Sequence, residues 1–192
     1  AEHGVAVGAH PSYPDRAQFG RRVLAAASGD DIAAWVTQQT EALAEQAARL
    51  GLRLAHVKPH GALYHVAARD AGVAEAIAQA VAALDAGLIV LGLSGSRLIA
   101  AAQAAGLGVL NEAFADRRYL ATGQLVSRET PDALVIDPVQ AARQALALAR
   151  GEPIATLDGS SLRVRADTLC LHSDTPNALN IARAIHAALN RG

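Results

Sequence analysis

The sequence predicts an α/β fold built on a parallel sheet, and two observations point to this class. Short apolar runs alternate with longer amphipathic segments along all 192 residues, which is the pattern of strands joined by crossover helices. Polar side chains follow five of the apolar runs, at the strand ends where barrels and open α/β sheets both build their sites. Because five strands supply one rim, we expect a closed β/α barrel rather than an open sheet.

The first half of the chain contains three strand–helix repeats. Strand-like runs lie at 5–9, 52–57 and 88–91, and amphipathic helices at 30–50, 71–84 and 96–105. Gly51 ends the first of these helices, since glycine is common just past a helix C-terminus. Ser96 stands where a helix N-cap is expected.

The second half has weaker strand signals and clearer helix signals. Strand-like runs lie at 109–110, 134–136, 154–156, 162–164 and 168–171, and helices at 138–150 and 176–190. Asp137 and Pro138 supply an N-cap and a first-turn proline for the first of these helices. The Asp158-Gly159 turn predicts a hairpin, and Pro176 opens the last helix.

Composition excludes several classes of protein. Hydrophobic residues make up 52% of the chain, yet no apolar run is long enough to cross a membrane, so we expect a soluble protein. The formal net charge is -1 without a basic patch, which argues against nucleic acid as a partner. Cys170 is the single cysteine and lies in an apolar run. We predict that it is a buried strand residue in the reducing cytoplasm.

We expect one domain over 1–192 that is incomplete at its N-terminus. The chain holds five or six β/α units, fewer than a barrel needs, and it contains no methionine. The opening residues 1–4 are typical of the last turn of a helix and its glycine stop.

The first polar cluster follows the first strand, in a loop fixed by two prolines. His10, Tyr13, Asp15 and Arg22 extend from this loop. His10 is a candidate general base or metal ligand, with Asp15 as a further acid. Tyr13 and Arg22 are candidate substrate-binding residues, because an arginine can clamp a carboxylate in a bidentate way.

Lys58 is the only lysine of the chain. Apart from the histidines, all other basic residues are arginine. A compact ammonium group kept beside His60 suggests a role that guanidinium cannot fill. Lys58 is a candidate for stabilising an anion, and His60 for transferring a proton. His56 falls on the strand itself, so we predict that it packs there or supports the functional residues from behind.

The third and fourth clusters are less specific. Ser94 and Ser96 lie at a helix start, where free amides favour an anion, although serine is also an ordinary N-cap. Glu112 is the carboxylate best placed as a base, at the predicted end of the fourth strand, with Asp116 behind it. Arg117 is a candidate substrate clamp, or else a structural partner of Asp116.

The last cluster follows the final strand. His172 and Asp174 lie just past the carboxyl end of this strand and are candidates for substrate binding. Asp174 is equally well placed to cap the next helix.

The sequence leaves metal binding open and argues against an ATP site. The histidines and acids fall at one predicted rim, but no tight His-x-x-x-His spacing commits a metal. The single lysine is not in a Gly-x-x-x-x-Gly-Lys context. If ATP is used, we expect another chain to bind it.

Four stretches together resemble the LamB/YcsF family. They are Gly8-Ala-His-Pro-Ser-Tyr-Pro-Asp15 with Phe19-Gly-Arg-Arg22, His56-Val-Lys-Pro-His-Gly-Ala-Leu-Tyr64, Glu112-Ala-Phe-Ala-Asp-Arg117 with Tyr119, and Cys170-Leu-His-Ser-Asp174. The resemblance implies a seven-stranded β/α barrel of the kind found in glycoside hydrolases and polysaccharide deacetylases. It also implies ATP-driven cleavage of the 5-oxoproline lactam to L-glutamate, together with two further subunits of a 5-oxoprolinase.

The chain departs from the family pattern in two places. The family begins with an Asp-Leu-Asn-Cys-Asp-like strand and a His-Ala-Gly-Asp-like strand, and neither occurs here. This departure suggests that the first two β/α units are absent. Ser173 stands where the family usually has glycine.

Two other functions remain as alternatives. A metal-dependent, deacetylase-like hydrolase of a carbohydrate or amide would lose activity to chelators and would not need ATP. A non-catalytic subunit that only binds substrate would change substrate affinity on mutation and leave turnover intact. The many titratable groups at the predicted rim favour an enzyme.

Overall fold

The computed structural model describes residues 3–190, and the opening stretch 1–4 therefore lies partly outside the described residues. The described part contains seven strands, six α-helices and one short 3₁₀ turn. The chain divides into two compact units, Ala1–Leu110 and Asn111–Gly192.

The first unit is built from repeated parallel strands and helices. Its strands are β1 Val7–Ala9, β2 Leu54–Val57 and β3 Ile89–Leu93, and its helices are α1 Gly29–Arg49, α2 Gly61–Ala67, α3 Ala71–Leu84 and α4 Arg97–Ala104. β2 pairs in parallel with both β1 and β3, and Val57 lies level with Ala9 on one side and with Val90 on the other. The crossover connections between these strands contain helices, as parallel pairing requires.

Local sequence explains where these helices begin. Ser28 and Asp31 form a reciprocal capping box at the start of α1, and Asp70 and Ser96 cap α3 and α4 by accepting from backbone N–H groups. Each cap satisfies an N–H group that has no partner inside the helix. α3 is rich in alanine and buries Ile77 among the core residues of this unit.

The second unit combines a parallel strand pair with a hairpin and two helices. Its elements are β4 Gly108–Phe114, α5 Pro138–Ala149, β5 Ile154–Ala155, β6 Ser161–Leu162, β7 Thr168–Cys170 and α6 Ala178–Leu189. β4 starts in the first unit and pairs in parallel with β7, whereas β5 and β6 pair in antiparallel fashion. Val135, Ala141 of α5 and Ile181 of α6 form a small hydrophobic core in this unit.

The predicted α/β class with parallel strands is confirmed, since five strands lie in parallel ladders. The hairpin around Asp158-Gly159 and the helix capped by Asp137 are also confirmed. The closed seven-stranded barrel and the single domain stay predictions.

Three local predictions need correction, and one helix was missed. β4 continues through Glu112 to Phe114 because this part of the strand is buried and paired with β7. The run 134–136 forms no strand and contributes only an isolated bridge to Arg117. Helix α2 was not predicted. Cys170 lies in β7 as expected, but it is half-buried rather than buried.

In the described range 3–190, none of the helices combines the length and the apolar character needed to cross a bilayer.

Candidate active site

The parallel register of β1 and β2 brings the first two polar clusters together. Ala9 lies level with Val57, and the ladder continues past the strands, because Lys58 N–H donates to the Ala9 carbonyl at 2.9 Å and His60 N–H to the Pro11 carbonyl at 2.8 Å. His10, Lys58 and His60 are therefore neighbours by virtue of main-chain hydrogen bonds.

Gly8 is required by the packing of β1 against β2. A Cβ atom at Gly8 would collide with the His56 ring, so the imidazole covers the glycine. This contact confirms the prediction that His56 packs on its strand.

The loop after β1 is held by a side chain from α1 that the sequence did not single out. The amide of Gln39 accepts from Ser12 N–H at 3.0 Å and donates to the Ser12 carbonyl at 2.8 Å. The same loop then contacts the start of α2, where Ala62 N–H donates to the Gly20 carbonyl at 3.0 Å. A Cβ atom at Gly61 would lie 2.6 Å from that carbonyl oxygen. Loop and helix thus approach closely only because Gly61 is glycine.

His10 and His60 form a direct contact that we name the imidazole pair. His10 Nε2 and His60 Nδ1 are 3.0 Å apart, and the rings meet edge to face with centroids 4.8 Å apart. The outer nitrogens lie against backbone carbonyl groups, His10 Nδ1 at 2.6 Å from Lys58 O and His60 Nε2 at 2.9 Å from Phe19 O. Both rings are therefore fixed in orientation by the main chain.

Lys58 and Asp15 supply charge to the same unit. The Lys58 ammonium lies 5.8 Å from the centroid of the Tyr64 ring, a cation–π distance. Asp15 is buried and caps the 3₁₀ turn Arg16–Gln18 through Oδ1. Its Oδ2 is buried without a hydrogen-bond partner and lies 3.7 Å from Nε of Arg22.

Three other candidate residues of this unit lie in the hydrophobic core or next to a helix or strand end. Tyr13 belongs to the hydrophobic core, where its ring meets Trp35 at 6.1 Å, and burial raises the pKa of its hydroxyl. Ser96 is buried and serves as the N-cap of α4, which is the alternative that the sequence allowed. Ser94 lies half-buried just after β3.

In the second unit, the register of β4 and β7 brings Asp116 next to His172. Phe114 pairs with Cys170, and Ala115 N–H donates to the Cys170 carbonyl at 3.1 Å. The two strands therefore end level, and the next side chains meet. We name this contact the Asp116–His172 dyad.

The Asp116 carboxylate is fully buried and receives three donors. His172 contributes its backbone N–H at 3.1 Å and its ring Nδ1 at 3.0 Å, and the Thr175 hydroxyl donates at 2.6 Å. Burial alone would raise the pKa of Asp116, but the hydrogen bonds from His172 and Thr175 outweigh it and hold the pKa below its usual range.

An ionised Asp116 fixes the tautomer of His172. A carboxylate only accepts hydrogen bonds, so Nδ1 of His172 is a donor, and in the neutral ring Nε2 keeps a lone pair. The ring is also stacked on Phe114, with centroids 5.6 Å apart and planes 17° apart. A histidine oriented in this way by a buried carboxylate is arranged as a general base.

The turn after β4 is held by Gln144 of α5, which the sequence reasoning missed. Its Nε2 donates to the Phe114 carbonyl at 2.8 Å and to the Arg117 carbonyl at 2.8 Å. Tyr119 adds a further tie, since its hydroxyl accepts from Phe114 N–H at 2.7 Å. A polar amide on a mainly apolar helix face is the signal that would have identified Gln144, and likewise Gln39.

Arg117 is buried, with 2% of its surface exposed. Its Nη2 donates to the Val126 carbonyl, and its Nε is buried without a hydrogen-bond partner. Burial, followed by the nearby charge of Arg128, lowers the pKa of Arg117. The Asp116 carboxylate receives its hydrogen bonds from His172 and Thr175, so the predicted structural pairing with Arg117 is limited to electrostatic attraction.

The positions of Glu112 and Asp174 differ from the sequence interpretation. Glu112 lies within β4 and is buried, because the strand extends beyond the point predicted from its apolar residues. Asp174 does not cap the last helix, whose N-cap is Asn177. Instead, Asp174 forms an ion pair with Arg128 at 3.3 Å.

The candidate residues do not form a metal centre within either unit. Among residues 3–190, no three His, Cys, Asp or Glu side chains are grouped closely enough to hold a metal ion.

Each unit places histidine and carboxylate groups at the carboxyl ends of parallel strands, where α/β enzymes build their sites. The LamB/YcsF family model matches residues 1–192, and the chain belongs to the LamB/YcsF family.

Curated relatives and a solved structure share most of this chain. It is 53% identical over 188 residues to the A subunit of 5-oxoprolinase from Chloroflexus aggregans, covering 98% of this chain and 74% of the relative. It is 51% identical over 189 residues to the corresponding 5-oxoprolinase protein of Bordetella pertussis, covering 98% and 75%. The crystal structure of the lactam utilization protein from Thermus thermophilus matches with a TM-score of 0.91 and 48% identity, over 99% of this chain and 75% of that one.

Proposed function

We propose that this chain takes part in the ATP-dependent hydrolysis of the 5-oxoproline lactam to L-glutamate, as one subunit of a multi-subunit cytoplasmic enzyme. The names of the relatives support both the reaction and a role as a subunit. Two further 5-oxoprolinase subunits are the proposed partners, and a seven-stranded β/α barrel is the proposed fold of the family.

The observation that carries this proposal is the Asp116–His172 dyad. Lactam hydrolysis needs a base that removes a proton from water as the oxygen attacks the carbonyl carbon. His172 has the required lone pair on Nε2, because Asp116 holds the proton on Nδ1 at 3.0 Å. The proposed role of base therefore passes from Glu112 to His172, and Asp116 acts as its positioning residue.

The charged groups of the first unit, taken by themselves, also suit hydrolytic chemistry. Negative charge develops on oxygen as the carbonyl is attacked, and a preplaced cation such as Lys58 stabilises it. The imidazole pair is proposed to transfer protons. Arg22 is proposed to bind the substrate carboxylate, since its Nε is only loosely paired with Asp15 at 3.7 Å.

ATP is assigned to the partner subunits. Its chemistry in this reaction is to activate the amide oxygen as a leaving group. The chain has no Gly-x-x-x-x-Gly-Lys loop that would cradle its phosphates. The residues of this chain are therefore given no role in binding ATP.

The test is glutamate release from 5-oxoproline by the full-length chain mixed with both partner subunits, with and without ATP. We expect release that needs ATP and stops when this chain is omitted. Lys58→Ala should lower kcat by about 10²–10³-fold if its ammonium contacts the developing charge. Arg53→Ala is the matched control, because Arg53 is an exposed cation that pairs with Asp85 at 3.8 Å.

Three outcomes would replace the proposal. Release that persists without ATP and stops with a chelator would favour the metal-dependent hydrolase. Variants of Lys58 and His172 that change KM and leave kcat intact would favour a subunit that only binds substrate. No release from a folded, assembled complex would reject the lactam as substrate.

A further inference from the structure

The four ring nitrogens of the imidazole pair all have defined neighbours. The two outer nitrogens, His10 Nδ1 and His60 Nε2, lie 2.6 Å and 2.9 Å from the carbonyl oxygens of Lys58 and Phe19. The two inner nitrogens, His10 Nε2 and His60 Nδ1, lie 3.0 Å from each other. These contacts decide where the protons are.

Both outer nitrogens must carry a proton. A carbonyl oxygen has no hydrogen to give, so a ring nitrogen at hydrogen-bond distance from it must be the donor. Since a neutral imidazole has only one N–H group, the inner nitrogen of each neutral ring would then be a lone pair. Two neutral rings would thus place two lone pairs against each other at 3.0 Å.

We propose that His10 and His60 hold one additional proton between their inner nitrogens and so form a single monocationic proton donor. Three protons on four nitrogens satisfy these contacts, because the inner pair becomes an N–H···N hydrogen bond. A fourth proton would set two N–H groups against each other at 3.0 Å. The pair therefore takes up one proton and titrates as a unit.

The surrounding backbone fixes the two carbonyl groups that the rings contact. Lys58 is fixed by its own N–H, which donates to the Ala9 carbonyl at 2.9 Å. Phe19 adopts a left-handed conformation with φ of 54°, which is unfavourable for a residue with a Cβ atom. Its N–H donates to the Arg16 carbonyl at 3.2 Å, and this turn directs the Phe19 carbonyl to His60. Phe19 is thus a positioning residue.

Other charged groups of the first unit accompany the imidazole pair. They lie after β2 and in the loop after β1, and they are Lys58, Asp15, Arg16, Arg21 and Arg22. Arg21 lies over the Phe19 ring at 5.5 Å, and that ring in turn meets His60 edge to face at 5.1 Å. The single buried acid of this set, Asp15, already has Arg22 as its neighbour.

The shared proton has a use in the proposed hydrolysis, and this step rests on that function. When the C–N bond breaks, its electron pair stays on the ring nitrogen of the substrate, which then needs a proton. Transfer from the imidazole pair would give the free amine and leave the pair neutral. The two lone pairs would then face each other again, which favours recapture of a proton from water before the next turnover.

The experiment is long-range ¹H–¹⁵N NMR of the uniformly ¹⁵N-labelled intact chain at about pH 8, above the ordinary histidine pKa of about 6.5. We expect three protonated nitrogens in the imidazole pair and a ¹⁵N–¹⁵N scalar coupling across the inner hydrogen bond. His65, which is exposed, should hold one proton and serves as the internal reference. Protons on the outer nitrogens only, or on all four nitrogens, would overturn the proposal.

A variant separates the pair from the general behaviour of histidine. His10→Gln should abolish the coupling and return His60 to a single proton on Nε2, whereas His65→Gln should leave the three-proton signature unchanged. If His10→Gln does not fold, the proton count of the wild-type pair decides alone. None of these readings needs enzymatic activity, so a protein that does not hydrolyse 5-oxoproline can still show the shared proton.

Discussion

Replacing Asp116 with asparagine tests the proposed base most directly. The carboxylate receives three donors, from His172 N–H at 3.1 Å, His172 Nδ1 at 3.0 Å and the Thr175 hydroxyl at 2.6 Å. Asparagine keeps one acceptor oxygen and turns an NH₂ group toward the others. His172 can accept from that group only by moving its own proton to Nε2, and this leaves no lone pair for water.

The expected effects follow from those contacts. Loss of the correct tautomer should lower kcat by about 10²–10⁴-fold with little change in KM. The substitution removes charge-assisted hydrogen bonds and leaves one donor unsatisfied. It should therefore lower the free energy of unfolding by about 2–4 kcal/mol. Thr175→Val is the matched control, because it removes one donor and leaves both His172 contacts. It should cost about 1 kcal/mol and keep most of the activity.

The same variant has a signature in acid. The pKa of Asp116 is held below its ordinary value of 3.8, so the folded state favours the ionised form. That contribution is present above this value and is lost as the pH falls through the lower, folded-state pKa. Lowering the pH below about 4 should therefore reduce the free energy of unfolding of the wild type more steeply than that of Asp116→Asn. Chemical denaturation at a series of pH values measures this difference.

The assay is glutamate release by the assembled enzyme at saturating substrate, combined with chemical denaturation of each variant. A folded Asp116→Asn enzyme with kcat within about twofold of the wild type would refute the role of His172 as an Asp116-oriented base.

Two further substitutions test the packing that supports the site. Gly8→Ala forces a Cβ atom into the His56 ring. It should lower the free energy of unfolding by about 1–3 kcal/mol in chemical denaturation. Its control, Gly72→Ala, meets only ordinary contacts and should be neutral or stabilising. Gln144→Ala removes two hydrogen bonds of 2.8 Å and should cost about 2 kcal/mol. Gln140→Ala, an exposed position on the same helix, should change the unfolding free energy by less than about 0.5 kcal/mol.

Much of the fold could be predicted because its signals are local. The helix Ala71–Leu84 begins and ends where its apolar spacing indicates, and the Asp158-Gly159 turn is sufficient to locate the hairpin. Helix α2 gave no such signal. It follows a proline and starts at a glycine with positive φ, a conformation imposed by the loop that contacts it.

The end of β4 shows where pattern reasoning stops. Asn111 and Glu112 are polar residues, which suggested that the strand had ended, yet both are buried within it. Asn111 is satisfied by Asp167, which accepts from its side chain at 2.8 Å and from its backbone N–H at 2.9 Å. Asp167 lies 56 residues away from Asn111, and the spacing of apolar residues along the chain cannot reveal such a hydrogen-bond partner.

The candidate residues could be placed at strand ends from the sequence, but their contacts could not. The positions of His10, Lys58, His60, Asp116 and His172 follow from the rule that parallel strands present their functional residues at the carboxyl ends. Which of them touch depends on strand register and on loop geometry. The imidazole pair and the dyad therefore emerged only with the structure.

The hydrogen-bond ladder that continues past the strand ends has a consequence for how such a protein can change. Lys58 and His60 are joined to the first loop through main-chain atoms, as is Ala115 to Cys170. Because no side chain takes part in these links, replacing a functional residue leaves the scaffold that presents its neighbours in place. Descendants of this fold can therefore exchange one reactive group at a time, and new chemistries can be selected without first inventing a new backbone.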